Sequence, residues 1–210
     1  AIIVAEDRQE LDLEGHRHFL RCRRMGHAAS NTVANGYTAR QVHRLVDRMR
    51  PDIEELTSFY ESRDGEYARR LINHQLRQLW PDLRGKDLLG IGYATPFLGV
   101  FEEAACQIAL MPATQGGRHW PAHGGNRVAI GREDELPFDD RSFDHLILAH
   151  AFECSPHANR LMREAWRILK DGGRLVVIVP NRRGLWCWSE RTPFGFGQPF
   201  TSDQLERSLK

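Results

Sequence analysis

The sequence predicts an α/β fold, in which helices flank a mostly parallel sheet. Short apolar segments alternate with connections between residues 87 and 179, and their continuous hydrophobicity is typical of strands covered on both faces. The first segment, residues 87–91, leads through small residues directly into a helix start. That arrangement places a helix N-terminus at the carboxyl edge of a sheet, where α/β proteins hold anionic ligands.

Composition indicates one main domain. The chain has 210 residues, of which 41% are hydrophobic and 27% charged, and its formal net charge is +1. This balance supplies no overall attraction to nucleic acid or membrane, so such a partner would need a local patch. The apolar runs, such as residues 175–179, are too short to span a membrane. Four widely spaced cysteines form no C-x-x-C pair and favour a reducing, cytoplasmic location.

Residues 1–55 lack a sustained hydrophobic period, and we interpret them as an extension of uncertain order. Within it, residues 38–49 fit a short basic amphipathic helix, either a solvated face or a DNA-reading element. Three histidines and one cysteine nearby match no closed structural metal site, so we predict no metal. These residues are His16, His18, Cys22 and His27.

The remainder, residues 56–210, contains the predicted elements. An apolar stripe over residues 66–80, including Tyr67 and Leu71, predicts a helix that Pro81 ends. Two further helices are predicted over residues 97–105 and between a Ser155-Pro156 cap and Gly172. Strands are predicted near residues 87–91, 106–110, 126–130, 144–150 and 173–179.

The connection over residues 111–125 is different in composition. Its glycines, prolines and histidines leave no room for a regular crossover helix. The second and third predicted strands, near residues 106–110 and 126–130, are therefore candidates for a hairpin as well as for a parallel pair.

Three later segments carry a family resemblance. They are E-L-P-F-D-D-R-S-F-D-H-L-I-L at residues 135–148, H-A-F-E at 150–153 and L-M-R-E-A-W-R-I-L-K-D-G-G-R-L at 161–175. Together they resemble the strand entry, strand exit and helix-to-strand connection of class I S-adenosylmethionine-dependent methyltransferases that act on small molecules. The likeness extends over residues 88–210.

The resemblance implies a Rossmann-like methyltransferase fold that binds S-adenosylmethionine. It also implies two final strands for which no residues follow, so we expect a truncated domain at the carboxyl end. The glycine-rich motif is degenerate: where the family has D-x-G-x-G-x-G, this chain has Gly90, Gly92, Ala94 and Pro96. The ribose-binding acid at the end of the second strand is replaced by residues 110–112, Leu-Met-Pro.

The resemblance also implies the residues of the site. The turn after the first strand would bind the cofactor, and so would the segment that the family uses for adenine. The candidates are Gly90, Gly92, Tyr93, Ala94, Asp134, Glu135 and Leu136. His150, at the carboxyl end of the fourth predicted strand, is the candidate catalytic base, and a hydrogen-bonded structural histidine is the alternative. Glu153 could orient it or bind substrate, or be simply a polar residue at the edge of the sheet.

An aromatic and basic segment over residues 182–200 follows the last predicted strand. In an enzyme it would form a lid, with Arg182, Trp186 and Trp188 contacting the substrate. In a non-catalytic methyltransferase-like module the same segment would bind a protein or nucleic-acid partner. Both functions stay open, as does the identity of the methyl acceptor, which is a small molecule or a macromolecule.

Overall fold

The computed structural model describes residues 2–7 and 50–180, together with Pro193. The described residues form a sheet with helices on both faces. In chain order the elements are β1 (Ile2–Asp7), α1 (Ile53–Glu61), α2 (Arg63–Leu79), β2 (Asp87–Gly92), α3 (Thr95–Leu98) with a 3-10 turn (Gly99–Phe101), β3 (Cys106–Pro112), β4 (Val128–Gly131), β5 (Phe143–Ala149), α4 (Ala158–Ile168) and β6 (Leu169–Pro180).

The strands lie in the order β1-β6-β5-β2-β3-β4. Strands β2 to β6 are all parallel to one another, which confirms the predicted mostly parallel sheet. Strand β1 was not predicted. It pairs antiparallel with β6, with Ile2 opposite Pro180. A six-residue segment isolated from other periodic sequence carries little signal, and its strand conformation depends on a partner far along the chain.

The hairpin considered for the second and third predicted strands is wrong. Strands β3 and β4 are parallel neighbours, with Ala109 opposite Val128 and Pro112 opposite Gly131. The intervening loop returns the chain to the starting end of the sheet without a regular helix, and it anchors itself through Arg127 N–H, which donates to Trp120 O at 2.7 Å. An irregular connection is long enough to make this crossover.

Helices α1 and α2 begin at side-chain caps. The Asp52 carboxylate accepts from the Glu55 amide at 2.8 Å, and the Ser62 hydroxyl accepts from the Gly65 amide at 3.2 Å. In α2, the predicted stripe is wrong at Tyr67 and Leu71, whose side chains are 65% and 50% exposed. The start of α1 at Ile53 precedes the predicted boundary at residue 56, and the division of the chain there stays a prediction.

The helix after β2 is shorter than predicted. Its N-cap is Ala94, which makes no side-chain capping bond. Regular turns end at Phe101 rather than at residue 105. Pro96 in the first turn still suits a helix start, because its missing N–H would have no partner there.

The helix before β6 also differs at both ends. It begins at Ala158 after His157, not at the predicted Ser155-Pro156 cap. It ends at Ile168, and Leu169 already belongs to β6. Gly172, predicted to stop the helix, lies inside β6 with φ +71°. Leu169 and Gly172 belong to β6 because the strand already begins at Leu169, which pairs with Phe143 of β5.

Two apolar layers cover the two faces of the sheet. One packs α1, α2 and α3 against it through residues such as Leu56, Leu76 and Phe97, all fully buried. The other packs α4 through Leu161 and Ile168. This double coverage explains the unbroken hydrophobicity of the central strands. Among the described residues, none of the helices has the length and apolar character needed to cross a membrane.

A charged cluster joins the amino ends of three neighbouring strands. Lys170 Nζ donates to Asp87 Oδ2 at 2.8 Å and to Asp144 Oδ2 at 2.7 Å, and the Asp87 amide donates to Asp144 Oδ2 at 3.0 Å. Although burial raises the pKa of Asp144, the Asp87 amide and the Lys170 ammonium lower it to about 2. The cluster therefore stabilises the fold while Asp144 is ionised.

Asp144→Asn should lower the free energy of unfolding by about 1–2 kcal/mol at pH 7. Because the pKa of Asp144 is lower in the folded chain than the ~4 of an unfolded aspartate, the contribution is present above about pH 4 and is lost as pH falls towards 2. Urea unfolding at pH 7 and pH 3 measures this. The exposed Asp171, changed to Asn, is the control. A difference that does not shrink at low pH would contradict the prediction.

Candidate functional site

A cavity of about 660 Å³ opens at the carboxyl ends of β2 and β3. Tyr93 and Met111, at those strand ends, form one side of it. Helices α1 and α2 form the opposite side, and the loop bearing Trp120 covers an edge. Its volume lies in the range of small-molecule sites, and its position at the carboxyl edge is where α/β sheets bind ligands.

The turn after β2 is shaped by close packing of the chain on itself. Gly92 has φ +83°, and a Cβ there would lie 2.3 Å from the Ala149 carbonyl oxygen. A Cβ on Gly90 would lie 2.4 Å from the Cβ of Ala94. Both glycines are therefore required by the junction of β2, α3 and β5. Gly90, Gly92 and Ala94 are buried and do not line the cavity, and their contact with a cofactor stays a prediction.

Tyr93 is the predicted cofactor residue of this turn that does line the cavity. Its ring stacks on that of Tyr60, with centroids 5.7 Å apart and planes at 20°. Its hydroxyl donates to Thr57 Oγ1 at 3.0 Å, and burial raises its pKa. The turn and α1 thus meet in an aromatic wall of neutral, protonated phenols.

His150, the predicted base, lies at the end of β5 with φ +53°, a conformation that is costly for a residue other than glycine. Its ring is 1% exposed. Nδ1 lies 3.0 Å from Glu153 Oε1, and Nε2 lies 2.7 Å from the Tyr60 hydroxyl. With Glu153 as a carboxylate and a neutral imidazole, Nδ1 carries the hydrogen and the Tyr60 hydroxyl donates to Nε2, because a carboxylate only accepts. Glu153 therefore contacts the imidazole, one of the roles considered for it, and is a buried partner rather than a polar residue at the sheet edge.

Sequence analysis did not identify Tyr60. It lines the cavity, whereas His150 does not, so Tyr60 stands between the cavity and the imidazole. Burial, followed by the charge of Glu153, raises the pKa of Tyr60 well above its usual value. The available signal was weak: Ile53, Leu56 and Tyr60 form a helical apolar period in a region that carries no family motif.

The segment after β4 lies apart from the cavity wall. Asp134 accepts from Arg132 Nε at 3.1 Å, and the hydrogen bond from Arg132 lowers its pKa. Glu135 is exposed, and the Leu136 amide donates to Glu164 Oε2 at 2.9 Å. None of the three predicted cofactor residues lines the cavity described here, and their contact with the adenine stays a prediction.

A buried ion pair precedes that segment. Arg50 Nη2 donates to both carboxylate oxygens of Glu133, at 2.7 and 2.6 Å, and both side chains are nearly inaccessible. The charges of Arg50 and Glu133 act on the nearby thiol of Cys154. Burial raises the pKa of this thiol, so it stays protonated and is not a reactive thiolate. The pair joins the start of α1 to the β4 edge of the sheet.

The chemistry of the cavity wall suits S-adenosylmethionine, the cofactor implied by the sequence motifs. Arg69 and Arg118 supply positive charge for a carboxylate, and each lies about 4 Å from an acid of the same wall, at 4.0 Å from Glu66 and 3.8 Å from Glu61. These acids suit an ammonium group. In the same wall, the buried Oδ1 of Asn73 accepts no hydrogen bond from the described residues.

The remaining predicted residues lie outside the described part of the chain. They are the substrate residues Arg182, Trp186 and Trp188, the basic helix over residues 38–49, and the histidines and cysteine considered for metal. Their predicted roles are neither supported nor opposed by the structure.

Comparison with known proteins gives a family and a set of relatives. The family model described as a methyltransferase domain matches residues 89–177. The ubiquinone/menaquinone biosynthesis C-methyltransferase UbiE of Bartonella quintana is 44% identical over 45 residues, which are 21% of this chain and 17% of that protein. The chain thus matches only a small part of the length of such curated relatives.

Two solved structures share the fold. An S-adenosylmethionine-dependent methyltransferase from Archaeoglobus fulgidus aligns with a TM-score of 0.51 and 19% identity over 72% of this chain and 69% of that one. The [4+2]-cyclase SpnF aligns with a TM-score of 0.50 and 19% identity over 82% of this chain and 72% of that one. These alignments confirm the predicted Rossmann-like methyltransferase architecture.

Proposed function

We propose that the chain, whose residues 89–177 match the methyltransferase domain model, is a class I S-adenosylmethionine-dependent methyltransferase that transfers a methyl group from S-adenosylmethionine to an acceptor. The observation that carries the proposal is the cavity of about 660 Å³ at the carboxyl ends of β2 and β3, beside the glycine turn. Ligands of open α/β sheets bind at this edge.

Bound S-adenosylmethionine would supply an electrophilic methyl group on a sulfonium. Tyr60, Tyr93 and Trp120 present aromatic side chains to the cavity, and aromatic faces stabilise a cation such as a sulfonium. Arg118 and Glu61, in the same wall, provide opposite charges for the amino-acid end.

His150 is the base in this proposal. Glu153 fixes its tautomer by accepting from Nδ1, so the accepting nitrogen is Nε2, which is hydrogen-bonded to the Tyr60 hydroxyl. When the imidazole takes up a proton, the buried carboxylate beside Nδ1 stabilises the resulting cation. This arrangement of carboxylate, imidazole and cavity-lining phenol supports a reaction in which the acceptor loses a proton.

The binding test uses calorimetric titration of the full chain with S-adenosylmethionine. We expect measurable binding, and Val100→Trp should weaken it at least about tenfold because Val100 is part of the cavity wall and the indole would fill the space. Leu71→Trp introduces the same indole at an exposed position of α2 outside the cavity and should leave affinity unchanged. Circular dichroism checks that both variants fold.

Failure of the wild-type chain to bind millimolar S-adenosylmethionine would contradict the proposal. The alternative, a non-catalytic module that binds a partner through residues 182–200, would then be the remaining hypothesis. Equal loss of affinity in both tryptophan variants would place the site outside this cavity. Conversion of the cofactor to S-adenosylhomocysteine, followed by mass spectrometry, reports turnover once an acceptor is supplied.

A further inference from the structure

Tyr60, His150 and Glu153 form a continuous hydrogen-bonded line from the cavity wall into the core. The Tyr60 hydroxyl lies 2.7 Å from His150 Nε2, and His150 Nδ1 lies 3.0 Å from Glu153 Oε1. Only Tyr60 of the three lines the cavity, and the other two side chains are at most 2% exposed. Tyr60 is therefore the residue of this line that a ligand in the cavity can contact.

The charge at the inner end of the line favours taking up a proton. Glu153 Oε2 is buried and has no hydrogen-bond partner among the described residues. A buried carboxylate in this state is costly unless a cation lies beside it. The nearest group that can supply that cation is the imidazole of His150. Arg50 is already paired with Glu133 through both carboxylate oxygens.

The backbone holds the line in place. His150 keeps φ +53°, and its amide donates to the Ile178 carbonyl oxygen at 3.1 Å. The preceding carbonyl, that of Ala149, accepts from the Tyr93 amide at 2.8 Å. Two neighbouring strands and the glycine turn thus maintain an unfavourable conformation, a feature that concentrates at functional sites.

We propose that Tyr60 is a catalytic residue, which receives the proton of the methyl acceptor while it passes its own proton to His150, and that the acceptor is a phenol-type hydroxyl compound. This inference rests on the proposed methyl transfer. Tyr60, Tyr93 and Trp120 make the wall suitable for an aromatic ring, and Met111 and Val100 add apolar surface.

The step balances in atoms and electrons. The O–H bond of the acceptor breaks and an O–CH₃ bond forms, while the S–CH₃ bond breaks and its electron pair stays on sulfur. The acceptor's proton moves to the Tyr60 oxygen as the Tyr60 proton moves to His150 Nε2, and Nδ1–H stays bonded to Glu153. Since burial raises the pKa of Tyr60, the phenol remains protonated between turnovers and acts as a relay.

The test compares two acceptors of similar size, phenol and pyridine, with the full chain and S-adenosylmethionine. Phenol must lose a proton to become anisole, whereas pyridine becomes N-methylpyridinium without losing one. Tyr60→Phe should lower turnover of phenol by about 10²–10⁴-fold and change that of pyridine by less than about threefold. Tyr67→Phe removes an exposed hydroxyl outside the cavity and should change neither.

A second variant, Glu153→Gln, tests the same proton path in case Tyr60→Phe does not fold. Glu153→Gln keeps the side-chain shape and an oxygen that accepts from Nδ1, but removes the charge that stabilises the imidazolium. It should lower turnover of phenol by about 10–100-fold and again change turnover of pyridine by less than about threefold. Melting temperatures and calorimetric affinity for S-adenosylmethionine are measured for each variant.

Each outcome either supports or overturns the proposed proton relay. Selective loss with phenol supports the relay. Equal losses with both acceptors, no loss with phenol, or a wild-type chain that binds S-adenosylmethionine but does not methylate phenol would overturn it while leaving the proposed cofactor site intact. Absence of S-adenosylmethionine binding to the wild-type chain would overturn the proposed function and the relay together.

Discussion

Replacing Gly92 with Val is expected to destabilise the whole domain. Gly92 has φ +83°, which a β-branched residue adopts only at high cost, and a Cβ there would lie 2.3 Å from the Ala149 carbonyl oxygen and 2.9 Å from the Ala151 Cβ. Both obstacles belong to β5 or its exit, so relief requires a shift between central strands. We expect a loss of at least about 4 kcal/mol, or roughly 8–16 °C in Tm.

Thermal unfolding followed by circular dichroism measures this effect. Gly99→Val is the matched control, because Gly99 has negative φ and nothing lies within 4 Å of its added Cβ. Its Tm should stay close to that of the wild type. A Gly92→Val protein that melts with the wild type would show that the turn adapts. Otherwise, loss of cofactor binding in this variant reports on the fold, not on a ligand that approaches the backbone.

Replacing His150 with Asn should nearly abolish proton-dependent methyl transfer. Asn tolerates positive φ better than most residues, so the exit of β5 can keep its conformation at φ +53°. The variant removes both imidazole nitrogens, and with them the contacts to Tyr60 and Glu153. Turnover of phenol should fall by about 10²–10⁴-fold, as measured by anisole formation.

Affinity for S-adenosylmethionine should change little in His150→Asn, because the imidazole does not line the cavity. The control is His74→Asn, at an exposed position of α2 that also lies outside the wall. It should keep both affinity and turnover. A His150→Asn chain with wild-type turnover of phenol would remove His150 from the mechanism, and a loss of cofactor affinity alone would give it a structural role.

Much of the architecture was predictable from local sequence. Strands β2, β5 and β6 are continuous apolar segments because the sheet is covered on both faces. Their burial could therefore be predicted from their hydrophobic residue types. The position of His150 at a strand exit followed from the same pattern. The pairing of His150 with Glu153 was also accessible, since the two residues are close in sequence.

Other features arise from contacts between distant residues and leave little local trace. Tyr60 reaches His150 across 90 positions, and Arg50 reaches Glu133 across 83. An exposed and a buried tyrosine look alike in one sequence, because burial depends on what packs against them. Gly92 illustrates the limit: its residue type indicated a tight turn, but the neighbour that requires the glycine, Ala149, was set by the pairing of β2 with β5. Helix periodicity and strand hydrophobicity are local properties of the chain, whereas the proton path and the close approaches of the backbone exist only once the strands have been assembled.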